Sequence, residues 1–224
     1  MTTDVERVAR TIDHALLRPE LTPADVEEGC QLATSFHCIT VCCRPMDVVR
    51  CGRVLAGTDT RVITVIGFPH GAHASEVKVA EALRALSDGA TELDMVLPIG
   101  LVRSGDHALV EADIAGVVDI AGSLPVKVIL ETGYLTRDEI VAAAKISEAA
   151  GAAFVKTSTG YGPRNATVED VALLRASVSA HVGVKAAGGI RNLHDALALL
   201  DAGATRLGTS STSTILGGGE ATGY

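Results

Sequence analysis

Residues 151–160 have the sequence Gly-Ala-Ala-Phe-Val-Lys-Thr-Ser-Thr-Gly. A glycine that follows a helical segment can adopt the left-handed conformation with which many helices end. The residues after it favour a short strand, which we predict at 153–158 and which carries Lys156 in its middle. The segment therefore predicts a helix that turns directly into a strand, with an amine where an apolar side chain is expected.

The same junction recurs along the chain. Gly89-Ala90 and Gly203-Ala204 also close helical segments immediately before strands, and the spacing between these junctions accommodates two strand–helix units each time. Short β-branched runs alternate with longer alanine-rich segments, which is typical of a parallel sheet covered by helices. We predict strands at 39–43, 61–66, 92–97, 126–131, 153–158, 182–186 and 205–208, and a very short one at 11–14.

Helix starts are marked by Ser, Thr or Asn followed three residues later by Asp or Glu, a capping pattern that satisfies free N–H groups. It occurs at Thr22 and Asp25, Thr136 and Glu139, Thr167 and Asp170, and Asn192 and Asp195. Eight strands between such helices would close a barrel, and α/β barrels of about 200–250 residues form one domain. The prediction is thus an α/β fold, a single-domain (β/α)₈ TIM barrel over residues 1–216. An N-terminal helix precedes the first strand and a flexible tail follows at 217–224; a seven-stranded open sheet is the alternative.

The composition of the chain restricts the classes of molecule that we expect it to bind. The net charge is −8, from 27 acidic and 19 basic residues, which argues against nucleic acid as a partner. The N-terminus has no apolar leader, and no segment reaches the roughly 18 apolar residues of a membrane helix, so we expect a cytoplasmic protein with no membrane partner. The five cysteines are odd in number and form no C-x-x-C motif, which predicts reduced thiols rather than disulfides or structural zinc.

Lysine placement is unusual. The chain has 14 arginines and five lysines, yet Lys127, Lys156 and Lys185 all lie in predicted strands. A buried ammonium costs several kcal/mol unless it is paired or its pKa is lowered. Strand alternation places Glu92 with Asp94 on one face, Lys127 with Glu131 on another, and Phe154 with Lys156 and Ser158 on a third. Simple pairing with carboxylates at a barrel end remains one explanation.

If those faces point inward, the barrel mouth has the groups that imine chemistry needs. A lysine nucleophile must be deprotonated, and a second cation close by favours the neutral amine. A carboxylate must also transfer protons during the reaction. Lys156, Lys185 and Asp94 can fill these roles, although the residues alone do not say which lysine is the nucleophile. We find no Rossmann glycine signature, P-loop or H-E-x-x-H motif, so we expect no cofactor and no metal.

Glycines at the last strand ends indicate an anion site. Gly188-Gly189 follows the seventh strand, and Gly208-Thr209-Ser210-Ser211 follows the eighth and opens a possible short helix. Backbone N–H groups at these positions are where barrel enzymes usually hold a phosphate. Thr159-Gly160, at the end of the sixth strand, would extend the same anion site. The expected partner is therefore a small phosphorylated molecule.

The sequence resembles the 2-deoxyribose-5-phosphate aldolases over nearly its whole length. The resemblance is carried by Ile12-Asp13-His14 with Leu16-Leu17, Gly67-Phe68-Pro69 with Gly71, Glu92-Leu93-Asp94-Met95-Val96, Leu130-Glu131-Thr132-Gly133, Lys156-Thr157-Ser158-Thr159-Gly160 and Val184-Lys185 with Gly188-Gly189-Ile190-Arg191. It implies a metal-free, reversible cleavage of 2-deoxy-D-ribose 5-phosphate to D-glyceraldehyde 3-phosphate and acetaldehyde. It also implies a homo-oligomer, either a dimer or a tetramer.

The resemblance assigns roles by position. Lys156 matches the Schiff-base lysine, Asp94 the proton-relay aspartate and Lys185 the second lysine. The phosphate-binding positions match Gly160, Gly188, Gly189, Gly208, Ser210 and Ser211, with Arg191 as either a further ligand or a surface charge. Cys42, Asp13 and Lys127 fall near the site, and Tyr224 matches a terminal tyrosine that enters it in some members.

Several points stay open at the level of sequence. Ala15 and Pro98 depart from the Thr and Asn that many members carry, which puts contacts to the sugar hydroxyls in doubt. Lys127 and Glu131 either tune the site or form a structural ion pair at the barrel mouth. The alternatives in function are an imine-forming aldolase acting on a ketose phosphate and a non-catalytic barrel that binds sugar phosphates.

Overall fold

The computed structural model describes residues 4–217, which form a closed barrel of eight parallel strands in the order β1 to β8. The strands are β1 Ile12–Leu16, β2 Thr40–Cys43, β3 Arg61–Ile66, β4 Glu92–Val96, β5 Val126–Ile129, β6 Phe154–Lys156, β7 Gly183–Ala187 and β8 Arg206–Thr209. β1 pairs with both β2 and β8, so the short first strand closes the barrel. The predicted barrel is confirmed, and the seven-stranded open sheet is wrong.

Helices surround the barrel, and at least one helix precedes every strand in the chain. They are α1 Asp4–Ala9, α2 Pro23–Ser35, α3 Val48–Val54, α4 Ser75–Ser87, α5 Ile99–Ser104, α6 His107–Ala121, α7 Arg137–Ala149, α8 Val168–Ser177, α9 Leu193–Asp201 and α10 Thr212–Gly217. Two single 3₁₀ turns lie at Pro45–Asp47 and Thr132–Tyr134. None of the helices within residues 4–217 is long and apolar enough to cross a membrane.

The helix ends agree with the predicted signals. Thr22 and Thr136 form complete capping boxes, and the side chains of Thr167 and Asn192 accept the backbone N–H three residues on. Gly89, Gly151 and Gly203 all have positive φ angles, between 88° and 111°, directly before β4, β6 and β8. Local chemistry therefore accounts for most element boundaries.

Two strands, β5 and β6, end two residues earlier than predicted. β5 stops at Ile129 rather than at residue 131, because Glu131 has a left-handed backbone (φ 54°, ψ 63°) that a strand cannot contain. β6 stops at Lys156 rather than at residue 158. Beyond it, the Thr157 hydroxyl accepts the Ala187 N–H at 3.1 Å, a side-chain contact in place of a regular strand ladder.

Side-chain alternation divides the strands into two sets. Apolar residues such as Leu93, Val128 and Val184 face the helices and belong to one continuous hydrophobic core. The charged strand residues face the barrel interior, where Cys42, Ile63 and Val65 form a separate small apolar cluster. The interior is therefore charged on one side and apolar on the other, which is the setting for the site described next.

Candidate active site

Asp94 on β4 is the centre of the charged interior. Its Oδ2 accepts a hydrogen bond from Lys156 Nζ and another from Lys185 Nζ, each at 2.7 Å, and its Oδ1 accepts one from Lys127 Nζ at 3.0 Å. All four side chains are buried, and Lys156, the least enclosed, is 3% exposed. The three strand lysines from the sequence thus share one carboxylate.

A second layer of charges lies beside this centre. Asp13 on β1 accepts hydrogen bonds from Arg206 Nη1 at 2.8 Å and from the Thr40 hydroxyl at 2.6 Å, and it lies 2.5 Å from Lys185 Nζ. Lys127 also donates to Glu92. Of the two alternatives for Lys127 and Glu131, the structure does not form the ion pair: Lys127 pairs with Glu92 and Asp94, and the Glu131 carboxylate accepts hydrogen bonds from Thr159.

The charges of this buried cluster balance only when one lysine is neutral. Three carboxylates, Asp13, Glu92 and Asp94, face four cationic groups, Lys127, Lys156, Lys185 and Arg206. Arg61 also lies 3.0 Å from Glu92, but it is 47% exposed and solvated by water. Because an uncompensated charge costs several kcal/mol in such an interior, neutralising one amine favours the cluster.

The pKa shifts favour Lys156 over Lys185 as that amine. Burial lowers the pKa of Lys156, and the positive charge of Lys185 lowers it further against the opposing pull of Asp94. Burial acts to lower the pKa of Lys185 as well, but the Asp13 and Asp94 carboxylates overcome it and raise that pKa. Burial likewise opposes ionisation of Asp94, yet the surrounding lysines hold the pKa of this carboxyl well below its usual range. Of these two amines, Lys156 therefore loses its proton more readily.

A cavity of about 230 Å³ opens above the two lysines on the side where the strands end. The structure brings nearly all the sequence-predicted site residues to its wall, namely Asp13, Cys42, Lys156, Gly160, Lys185, Gly188, Gly189, Arg191, Gly208, Ser210 and Ser211. Asp94 and Lys127 lie beneath its floor. Tyr224 lies outside the described residues.

The glycine-rich part of this rim has a backbone conformation that L side chains seldom adopt. Gly160, Gly188 and Gly189 have φ angles of 89°, 90° and 75°. A β-carbon on Gly189 would come within 2.7 Å of the Asn165 side chain. Asn165 and Arg18 also line the cavity, and the sequence did not single them out. Arg18 follows β1 and was detectable as a strand-end residue, whereas Asn165 lies in a long loop with no local signal.

Two other predicted positions differ in environment. Cys42 is buried in the cavity wall, and burial raises the pKa of its thiol to about 11, so it is uncharged at neutral pH. Ala15 lines the same cavity, while Pro98 lies outside its wall at the start of α5. Of the two departures from the family pattern, only Ala15 is placed to meet a ligand in this cavity.

A (β/α)₈ barrel with a buried lysine–carboxylate centre below a glycine-rimmed cavity defines the class of barrel aldolases. A family model described as "DeoC/LacD family aldolase" matches residues 7–217. The chain belongs to this family and is an aldolase.

Relatives with high identity agree with this assignment. A protein of Brevibacillus brevis named deoxyribose-phosphate aldolase is 50% identical over 212 residues, covering 95% of this chain and 96% of its own. One of Methanothermobacter thermautotrophicus with the same name is 51% identical over 216 residues, covering 95% of each.

Solved structures extend the similarity to the fold. A putative deoxyribose-phosphate aldolase from Coccidioides immitis has a TM-score of 0.94 at 39% identity, covering 97% of this chain and 87% of its own. The deoxyribose phosphate aldolase from Aeropyrum pernix, described as a unique tetrameric structure, has a TM-score of 0.89 at 33% identity, covering 97% and 92%.

Proposed function

We propose that this aldolase reversibly cleaves 2-deoxy-D-ribose 5-phosphate to D-glyceraldehyde 3-phosphate and acetaldehyde through a Schiff base on Lys156. The observation that carries the proposal is the sharing of Asp94 Oδ2 by two lysines whose pKa values shift in opposite directions. One lysine is thereby suited to attack a carbonyl and the other to remain an ammonium. The names of the relatives support the substrate.

The buried centre supports each proton transfer of the reaction. The Lys156 amine adds to the C1 aldehyde, and Asp94 carries a proton from the nitrogen to the C1 oxygen. A second proton, taken up from solvent, lets this oxygen leave as water, and an iminium forms. The C3 hydroxyl then gives its proton through water to Asp94, the C2–C3 bond breaks with release of glyceraldehyde 3-phosphate, and its electron pair moves into the iminium to give an enamine. Return of that proton to C2 and addition of water release acetaldehyde, the free amine and the proton taken up from solvent.

The rim supports binding of the phosphate at a distance from the breaking bond. Contacts to a remote group act mainly on binding, although part of that binding energy can be used at the reacting centre. Gly160, Gly188, Gly189, Gly208, Ser210 and Ser211 line the cavity, and Arg18 and Arg191 add positive charges to its wall. We expect the phosphate at this glycine- and serine-rich part of the wall and the aldehyde at Lys156.

Replacing Gly189 by Ala is expected to raise KM for the phosphorylated sugar by about 10-fold or more, since an added methyl must displace Asn165 and the rim backbone. Gly89→Ala is the matched control: its φ is also positive (104°), and a β-carbon there meets nothing within 4 Å. Steady-state kinetics on both variants checks this. An equal change in KM for the two would contradict a phosphate site at this rim.

Product analysis tests the reaction itself. Incubation with 2-deoxyribose 5-phosphate should release acetaldehyde and glyceraldehyde 3-phosphate in equal amounts, and borohydride should trap acetaldehyde on the protein. Trapping of dihydroxyacetone phosphate instead, without cleavage of the deoxy sugar, would assign the chain to ketose phosphates.

We also propose that the chain forms a homo-oligomer, either a dimer or a tetramer, and acts in the cytoplasm. The Aeropyrum pernix relative, described as tetrameric, supports the first. The free state of all five cysteines supports a reducing compartment. Sedimentation equilibrium would test the assembly, and a monomer at micromolar concentration would contradict it.

A further inference from the structure

Glu131, beside the site, has both an unfavourable backbone conformation and an unfavourable side-chain environment. It is a non-glycine residue with a left-handed backbone (φ 54°, ψ 63°), a conformation that L side chains seldom adopt. Its side chain is 1% exposed, and its Oε1 has no hydrogen-bond partner among the described residues. Burial raises the pKa of this carboxyl against its hydrogen bonds to Thr159. Such strain is typically kept where a function requires it.

The contacts of Glu131 point to the phosphate rim. Its Oε2 accepts the Thr159 N–H at 3.1 Å and also the Thr159 hydroxyl. The Thr159 hydroxyl oxygen in turn accepts the Tyr161 N–H at 3.0 Å. One carboxylate oxygen therefore sets the backbone on both sides of Gly160, which has a φ of 89° and lines the cavity.

The carboxylate acts from behind the rim. Glu131 is absent from the wall of the lysine cavity and instead borders a second cavity of about 280 Å³ on the other side of Thr159. Gly162 lets it approach this closely, because a β-carbon there would lie 2.6 Å from the carboxyl group. Glu131 thus contacts the loop that carries the rim and stays away from the space a substrate would occupy.

We propose that Glu131 is a positioning residue that holds Thr159 and Gly160 in the conformation that binds the substrate's phosphate. The proposal rests on the function proposed above. The strained turn after β5 is what allows the carboxylate to reach across to the loop after β6 and fix it. Glu131 therefore governs selectivity for phosphorylated over unphosphorylated substrate and leaves the chemistry at Lys156 unchanged.

The test compares substrates with and without the phosphate. Glu131→Gly removes the carboxylate and suits the positive φ, which favours a folded variant. We expect kcat/KM for deoxyribose 5-phosphate to fall about 10- to 100-fold, mainly through KM, as for loss of charged hydrogen bonds. The values for unphosphorylated deoxyribose, and borohydride trapping of acetaldehyde, should stay near those of the parent. Glu131→Gln keeps an acceptor oxygen and should restore most of the selectivity.

Glu148→Ala is the matched control. Glu148 in α7 accepts hydrogen bonds from the N–H and hydroxyl of Ser179 in the same pattern. Ser179 follows α8, and neither residue lines the cavity. It should leave the ratio of the two kcat/KM values unchanged.

The outcomes separate the two proposals. An unchanged ratio in Glu131→Gly, in a parent that does prefer the phosphorylated sugar, would refute the role of Glu131 alone. A parallel loss for both substrates would also overturn it, since that result indicates a general structural role. A parent with no phosphate preference would refute the phosphate site and this inference together.

Discussion

Lys156→Ala is expected to lower kcat/KM by about 10⁴- to 10⁶-fold, the range seen when a covalent nucleophile is removed. Neither remaining strand lysine can take its place. Asp13 and Asp94 keep Lys185 protonated, and Lys127 lies beneath the cavity floor, bonded to Asp94 and Glu92. Steady-state assay of the purified variant provides the measurement.

Lys156→Ala is also expected to have little effect on the stability of the fold. Because the buried cluster is balanced with Lys156 neutral, its removal leaves no unpaired charge, so thermal unfolding should shift only slightly. Lys145→Ala, at an exposed lysine of α7, is the control for both measurements. Activity within tenfold of the parent would mean that another group forms the covalent intermediate.

Lys185→Met is expected to lower the rate at neutral pH by about 10²- to 10⁴-fold and to make it rise with pH. Without Lys185, three carboxylates face only Lys127 and Arg206, so a proton is retained on Lys156 and its pKa rises. At a fixed pH below that pKa the amine fraction is smaller, and the rate should climb about tenfold per pH unit until the amine is free. A pH–rate profile for kcat/KM measures this directly.

Lys145→Met should give the profile of the parent. A Lys185→Met profile that is parallel to the parent's but lower at every pH would assign Lys185 to proton donation instead of pKa control. A profile that matches the parent in both height and shape would remove Lys185 from the mechanism.

The fold was largely predictable because its signals are local. The caps at Thr22 and Thr136 and the glycines at 89, 151 and 203 act within a few residues, so they mark element ends in the sequence. The turn at Glu131 was not predictable, because its backbone is stabilised by Thr159, which belongs to the next strand unit. Strand β5 was therefore placed two residues too long.

The sequence predicted which side chains lie in the site but not which of them form ion pairs with one another. Alternation indicates which face a side chain occupies, which was enough to place Asp94, Lys127, Lys156 and Lys185 together. It does not say which charges meet, since this depends on the stagger of eight strands around the barrel. For that reason an ion pair between Lys127 and Glu131 stayed open as an alternative, whereas Lys127 contacts Asp94 and Glu92, and Arg206 and Asn165 were not singled out.

Borohydride reduction in the presence of acetaldehyde, followed by peptide mass mapping, distinguishes Lys156 as the neutral amine from Lys185 as the retained ammonium. We expect a single N-ethyl-lysine at position 156, with trapping in Lys185→Met that increases as the pH is raised. An ethyl group on Lys185 or Lys127, or no adduct at any pH, would contradict it.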